Sequence, residues 1–216
     1  WRFTGRTAHN LGSFRINLGA NINIRDGRQY IHSYQKNNAA NNPLVQTDNY
    51  SFSARISQTL SGNSFWNLNL GYRKFNSEQS HPVMLDNLNL YGDSAYFANT
   101  FGVTLTGYGT RTQISPITGQ GTTTDEYGVF LPYGRIQNYY GKNENDVLSL
   151  EASFTSQIET HLLEIGGGFN FNTVRNYVIG PVGLQLPSLR DSSDFLRYEY
   201  QQPSYYGYNI YGTSKT

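Results

Sequence analysis

Between Ser13 and Arg25 the sequence alternates without a break. Phe14, Ile16, Leu18, Ala20, Ile22 and Ile24 fill the even positions, and Ser13, Arg15, Asn17, Gly19, Asn21, Asn23 and Arg25 the odd ones. A helix would scatter these apolar side chains around its circumference. An extended strand, with its period of two, places all of them on one face. The run is longer than the roughly five or six residues usual in a soluble strand. It matches the roughly nine to eleven that a tilted strand needs to cross a bilayer.

The same alternation returns in pairs. Tyr50, Phe52, Ala54, Ile56 and Leu60 interleave with Ser51, Ser53, Arg55, Ser57 and Thr59, with Gln58 as the exception. A turn at Ser61-Gly62-Asn63-Ser64 returns the chain through Trp66, Leu68, Leu70 and Tyr72, which makes a hairpin. Leu148, Leu150, Ala152 and Phe154 form one arm of a further pair, and Leu163, Ile165, Gly167, Phe169 and Phe171 the other. Leu162 breaks parity at the entry and reads as a turn residue or a bulge. Strands are therefore expected near residues 1–8, 13–25, 50–60, 65–75, 147–155 and 161–172. The first of these rests on Trp1 and Phe3 alternating with Arg2 and Thr4.

The connections are as informative as the strands. Short links within pairs alternate with long ones at 26–49, 76–145 and 173–216. A soluble sandwich has no reason to put every long connection at one end, whereas a membrane barrel has short periplasmic turns and long extracellular loops. The expected fold is thus all-β: an antiparallel up-and-down transmembrane barrel, of which about six strands are present. A soluble β-sandwich is the alternative, although its water-facing surface would carry more Lys and Glu than these strands do. Six strands are too few to close a barrel, so the chain reads as a piece of something larger. Its opening residues read as strand and not as a leader peptide.

In this arrangement Ile16, Leu18, Ile22, Ile56, Leu68, Leu70, Leu150, Ile165 and Phe169 face lipid. Arg15, Arg55, Arg73, Glu151 and Glu164 lie on the opposite face, toward a lumen or plug. Phe14, Phe65, Trp66 and Phe154 fall at the turn ends and Tyr50, Phe52, Tyr72, Phe75, Phe169 and Phe171 toward the loop ends, as two aromatic girdles require.

Composition excludes several other functions. With 16 basic against 15 acidic residues, the chain lacks the electrostatic footprint of a nucleic-acid binder. It has no Cys, hence no disulfide framework and no thiolate metal site. His9, His32, His81 and His161 are too scattered for a metal site. Asn143 to Asp146 lacks the pattern of a dedicated Ca²⁺ loop. Gly166, Gly167 and Gly168 precede no helix and so cradle no phosphate. Nothing resembles a hydrolase triad, and no enzymatic activity, cofactor or metal is expected.

The long loops are rich in aromatic residues. Tyr96, Phe97, Tyr108, Tyr127, Tyr133, Tyr139, Tyr140, Tyr205, Tyr206 and Tyr208 are candidate ligand contacts, since Tyr combines a large rigid ring with a hydroxyl at low entropic cost. The competing expectation is that these rings pack the loops into a folded cap.

The stretch LEASFTSQIETHLLEIGGGF, from Leu150 to Phe169, resembles a hairpin of TonB-dependent outer-membrane receptors of the Oar-like type, known from Bacteroidota and their relatives. There a Thr-Ser-Gln turn is followed by a His and a Gly-rich strand. The segment SARISQTL from Ser53 to Leu60 and the Tyr-rich Tyr205 to Tyr208 are similar to early barrel segments of the same group. The resemblance implies a barrel of about 22 strands in the bacterial outer membrane. This chain would form roughly its first quarter. The implied partners are membrane lipid, a plug domain of the same chain, TonB, which engages a segment not present here, and a ligand captured by the outer loops for import. The alternatives are a structural or export-associated barrel that binds surface proteins, and a secreted all-β adhesin.

Overall fold

The computed structural model describes residues 1–106, 112–114, 129–131, 133, 135, 136, 139–180, 204–209 and 212–215. Its main feature is a seven-stranded sheet. The strands are β1 (Arg2–Leu11), β2 (Phe14–Arg28), β3 (Leu44–Ser61), β4 (Ser64–Ser80), β7 (Tyr140–Ile158), β8 (His161–Ile179) and β9 (Ser204–Tyr206), in that spatial order. A separate hairpin pairs β5 (Thr104–Thr106) with β6 (Thr112–Ile114), and α1 (Ser94–Phe101) precedes it. Neighbours in the large sheet are also neighbours in sequence, apart from the insertion between β4 and β7. This is an up-and-down meander.

All six expected strands are present, and the pairs are joined by two-residue turns at Gly12-Ser13, Gly62-Asn63 and Glu159-Thr160. Gly12 and Glu159 have φ of 64° and 52° at the first turn position. Tight hairpins favour positive φ there, because their twist then matches that of the strands. The β1–β2 register pairs Phe3 with Ile22, Thr7 with Leu18 and Leu11 with Phe14. Directly paired residues share a face, so the odd positions of β1 extend the apolar face of β2.

Most strands run beyond their expected ends. β3 begins at Leu44, β4 continues to Ser80, β7 begins at Tyr140 and β8 continues to Ile179. Alternation reports what each face meets, whereas backbone pairing continues for as long as each N–H and C=O finds a partner. Strand ends that lose alternation are therefore invisible to the pattern. β9 lies within the expected loop 173–216, where Tyr205 pairs with Tyr177.

The chain forms two compact units. The first comprises Trp1–Arg25, Thr47–Asn76 and Glu144–Val174, and the second Asp26–Gln46, Ser77–Asn143 and Arg175–Thr216. The first unit is made of strands and their turns alone and holds no buried apolar side chain. Ser156 is its one buried residue.

The second unit has a conventional core of Met84, Tyr91, Phe97, Val103, Ile136, Tyr140, Tyr177, Ile179 and Tyr208. Helix α1 is well bounded. Asp93 caps its N-terminus by accepting from the amides of Ala95 and Tyr96 at 2.8 and 3.0 Å. Gly102, at φ 66°, ends it, and the Val103 amide bonds back to the Phe97 carbonyl at 3.3 Å. The Gly102 amide bonds back to the Ala98 carbonyl at 3.1 Å, which is the left-handed αL cap, and Phe97 and Val103 are both buried.

Candidate functional site

The first unit presents two contrasting faces. On the apolar one, Leu18, Leu70, Leu150, Ile165 and Phe169 are 45, 40, 41, 61 and 60% exposed. Ile16, Ile22, Ile56 and Leu68 are half-buried by their neighbours along the sheet. No second layer covers this face within the unit. At its centre Gly5, Ala20 and Ala54 leave a hollow of about 630 Å³ between Phe3, Phe52 and Tyr72. A water-exposed apolar surface this continuous is uncommon in monomeric soluble domains.

Among the polar residues on the apolar face is Gln58, in phase with Phe52, Ala54 and Ile56. Its Oε1 accepts from Trp66 Nε1 at 2.8 Å, and the Trp66 ring meets Phe14 edge-on at 6.5 Å. Three neighbouring strands therefore contribute to one aromatic and hydrogen-bonded cluster beside the short turns. Amphipathic rings of this kind suit a boundary between hydrocarbon and water.

The opposite face is polar and cross-linked. Arg55 Nη2 donates to Asn67 Oδ1 at 3.5 Å, Asn67 Nδ2 to Ser153 Oγ at 3.5 Å, and Asn69 Nδ2 to Glu151 Oε2 at 3.4 Å. Ser149 Oγ donates to the Gly71 carbonyl at 3.3 Å. Arg15, Arg55, Arg73, Glu151 and Glu164 are exposed. Small residues here sit beside the side chains of adjacent strands. A Cβ on Gly19 would lie 2.7 Å from Ser53 Oγ, and one on Gly71 would collide with Ser149 Oγ. A Cβ on Gly166 or Gly168 would instead lie 3.2 or 3.3 Å from the backbone carbonyl of Ala152 or Leu150.

In the second unit the expected ligand residues divide. Tyr133 and Tyr206 are exposed, Tyr205 is exposed beneath the Lys215 ammonium, and Tyr96 and Tyr139 are half-buried. Tyr108 and Tyr127 lie outside the described residues. Phe97, Tyr140 and Tyr208 require correction as ligand contacts, because all three are buried in the core. Tyr140 meets Tyr177 edge-on at 6.2 Å, and Tyr177 meets Tyr208 at the same distance. Burial, together with the neighbouring Glu78 carboxylate, holds the Tyr140 phenol far above its ordinary value. For these rings the packing expectation is the correct one.

His81 is fully buried beside Phe101, with ring centroids 5.3 Å apart. Its Nδ1 accepts from the Val83 amide at 3.2 Å, its own amide donates to the Tyr91 hydroxyl at 2.8 Å, and that hydroxyl donates to the Leu85 carbonyl at 2.7 Å. Its Nε2 meets no hydrogen-bond partner among the described residues. Burial, reinforced by the Arg28 charge, pushes its pKa down to about 4. The ring is neutral and serves the turn that it closes. Among the described residues no cluster of His, Asp and Glu could hold a metal ion.

A surface cluster of Tyr30, His32, Phe130 and Lys36 was not expected as a unit. Its parts come from two loops about a hundred residues apart, so spacing in the sequence could not join them. Among the described residues no helix is long and apolar enough to cross a membrane. No family model, curated protein or solved structure matches the chain.

Proposed function

We propose that the chain is part of the wall and outer surface of an outer-membrane β-barrel, a TonB-dependent receptor that imports a ligand captured by its long loops. The observation that carries this reading is the first unit's sheet, which has no buried apolar side chain while Leu18, Leu70, Leu150, Ile165 and Phe169 stand exposed on one face. Hydrocarbon is the medium that removes this mismatch. A strand wall satisfies its backbone groups laterally, so it needs no second layer in lipid. The polar face, with its small residues and Arg, Asn and Glu bonds, suits a plug-filled or watery lumen. The resemblance of the Leu150–Phe169 hairpin supports the receptor assignment, with TonB and a plug domain as the partners it brings.

Single Cys substitutions in the protein in its native membrane test the wall. A lipid-soluble reagent should label positions 16, 18 and 22 and spare 17, 21 and 23. Equal labelling of both sets removes the membrane reading. The energised step is tested separately by crosslinking to TonB during ligand uptake, and uptake that persists in cells lacking TonB removes the receptor assignment.

A further inference from the structure

Three rings stand in a row at the surface of the second unit. Tyr30 and His32 have centroids 6.1 Å apart with planes inclined at 47°, and His32 and Phe130 are 5.4 Å apart at 40°. Lys36 Nζ sits 5.7 Å from the Phe130 centroid. Tyr30 is 67% exposed and His32 is exposed. The Tyr30 hydroxyl shares a hydrogen bond of 2.9 Å with His32 Nδ1, which fixes the imidazole.

The footing of this row is rigid. Asn37 Nδ2 donates to the Leu131 carbonyl at 2.8 Å, the Leu131 amide to the Ser33 carbonyl at 2.9 Å, the Arg135 amide to Asn38 Oδ1 at 2.8 Å and Asn41 Nδ2 to the Arg135 carbonyl at 3.0 Å. Two loops are thereby held together while Tyr30 and His32 above them stand in water and Phe130 is half-buried. Tyr34, four residues from Tyr30, turns inward and is buried. The outward rings are thus not surplus core.

We propose that this row is a binding platform for a neutral oligosaccharide. A sugar ring has one face of C–H bonds that stacks on an aromatic plane and a rim of hydroxyls that needs donors and acceptors beside the stack. His32 and Lys36 supply polar groups along the row. Ring centroids 5.4 to 6.1 Å apart are on the scale of one sugar ring, so adjacent rings can each meet a face of one short oligosaccharide. A polyanion is disfavoured by the chain's near-neutral charge. The platform names the ligand class for the outer surface described under Proposed function, and so rests on that reading.

The test is affinity electrophoresis of the full chain, folded in detergent, in native gels containing dextran, laminarin or xylan. At least one polysaccharide should retard it. Tyr30→Ala and Phe130→Ala should each weaken that retardation about fivefold, and Tyr30→Phe, which keeps the ring, should largely preserve it. Saturation-transfer NMR on the unsubstituted chain with an oligomer of the retarding sugar should show contact at the sugar C–H protons and requires no variant to fold. Absence of retardation by all three polysaccharides overturns the proposal, as does equal retardation of the parent and both Ala variants. So does loss of binding to phosphatidylcholine vesicles in the Ala variants without any sugar effect, which would make the row a membrane anchor. A negative gel with lipid labelling at position 18 intact removes the platform and leaves the barrel.

Discussion

The Trp66 indole N–H donates to Gln58 Oε1 at 2.8 Å, and this bond explains the single interruption in the alternation from Tyr50 to Leu60. Gln58 stands on the apolar face because its neighbour there carries a polar edge. Gln58→Leu removes the acceptor and leaves a half-buried donor, at a cost of about 1–3 kcal/mol. Trp66→Phe in the same background should recover part of that loss. Denaturant unfolding of the two single variants and the double variant in bilayers gives the coupling, and strictly additive effects would show that the bond contributes nothing.

Leu70→Arg should cost on the order of 2–4 kcal/mol in a membrane-embedded wall, whereas Asn69→Arg, one residue away on the other face, should be nearly neutral. Assembly yield in the outer membrane reads the difference. A soluble sheet would tolerate both.

Gly71→Val should destabilise the wall, because its Cβ meets Ser149 Oγ. Adding Ser149→Gly opens the space and should restore a measurable part of the lost stability, seen as a rise in the unfolding midpoint. Failure of the second change to help would place the strain elsewhere.

His81 predicts acid sensitivity. Its folded pKa lies near 4, below the ordinary 6.5, so between these values the unfolded chain binds more protons than the folded one. Stability of the second unit therefore falls as pH drops from 6.5 toward 4 and levels off below, by on the order of 3 kcal/mol in all. His81→Gln should flatten this dependence in thermal melts followed by tyrosine fluorescence.

Glu159 adopts φ 52° at the turn between β7 and β8, a conformation costly for a residue with a Cβ. Glu159→Gly should stabilise the hairpin by about 1 kcal/mol, measured as a shift in the unfolding midpoint. A loss of stability would mean that the side chain has a role in the turn.

The strands of the first unit were legible because their two faces carry different side chains, which gives the sequence a two-residue period. Ile16 to Ile24 announce β2 without any knowledge of its neighbours. The extensions at Leu44–Asn49 and Tyr140–Asn145 were not legible, because pairing there has no matching alternation of side chains. Loop aromatics defeated the reading differently. Phe97 and Tyr133 look alike in sequence, yet one packs behind a helix cap and the other stands in solvent. What separates them is tertiary contact, which composition does not encode. The Tyr30–Phe130 cluster was hidden for the same reason, since its two loops meet only after folding.

The bare side of the first unit also sets unequal terms for evolution. On the membrane reading proposed above, fluid chains mould themselves to whatever protrudes, so exchange among Leu, Ile, Val and Phe at positions such as 18, 70 and 165 should be nearly free. Glycine and serine across the ribbon, where strand touches strand, have no such latitude. Divergence in this protein should therefore run fastest on its greasiest surface.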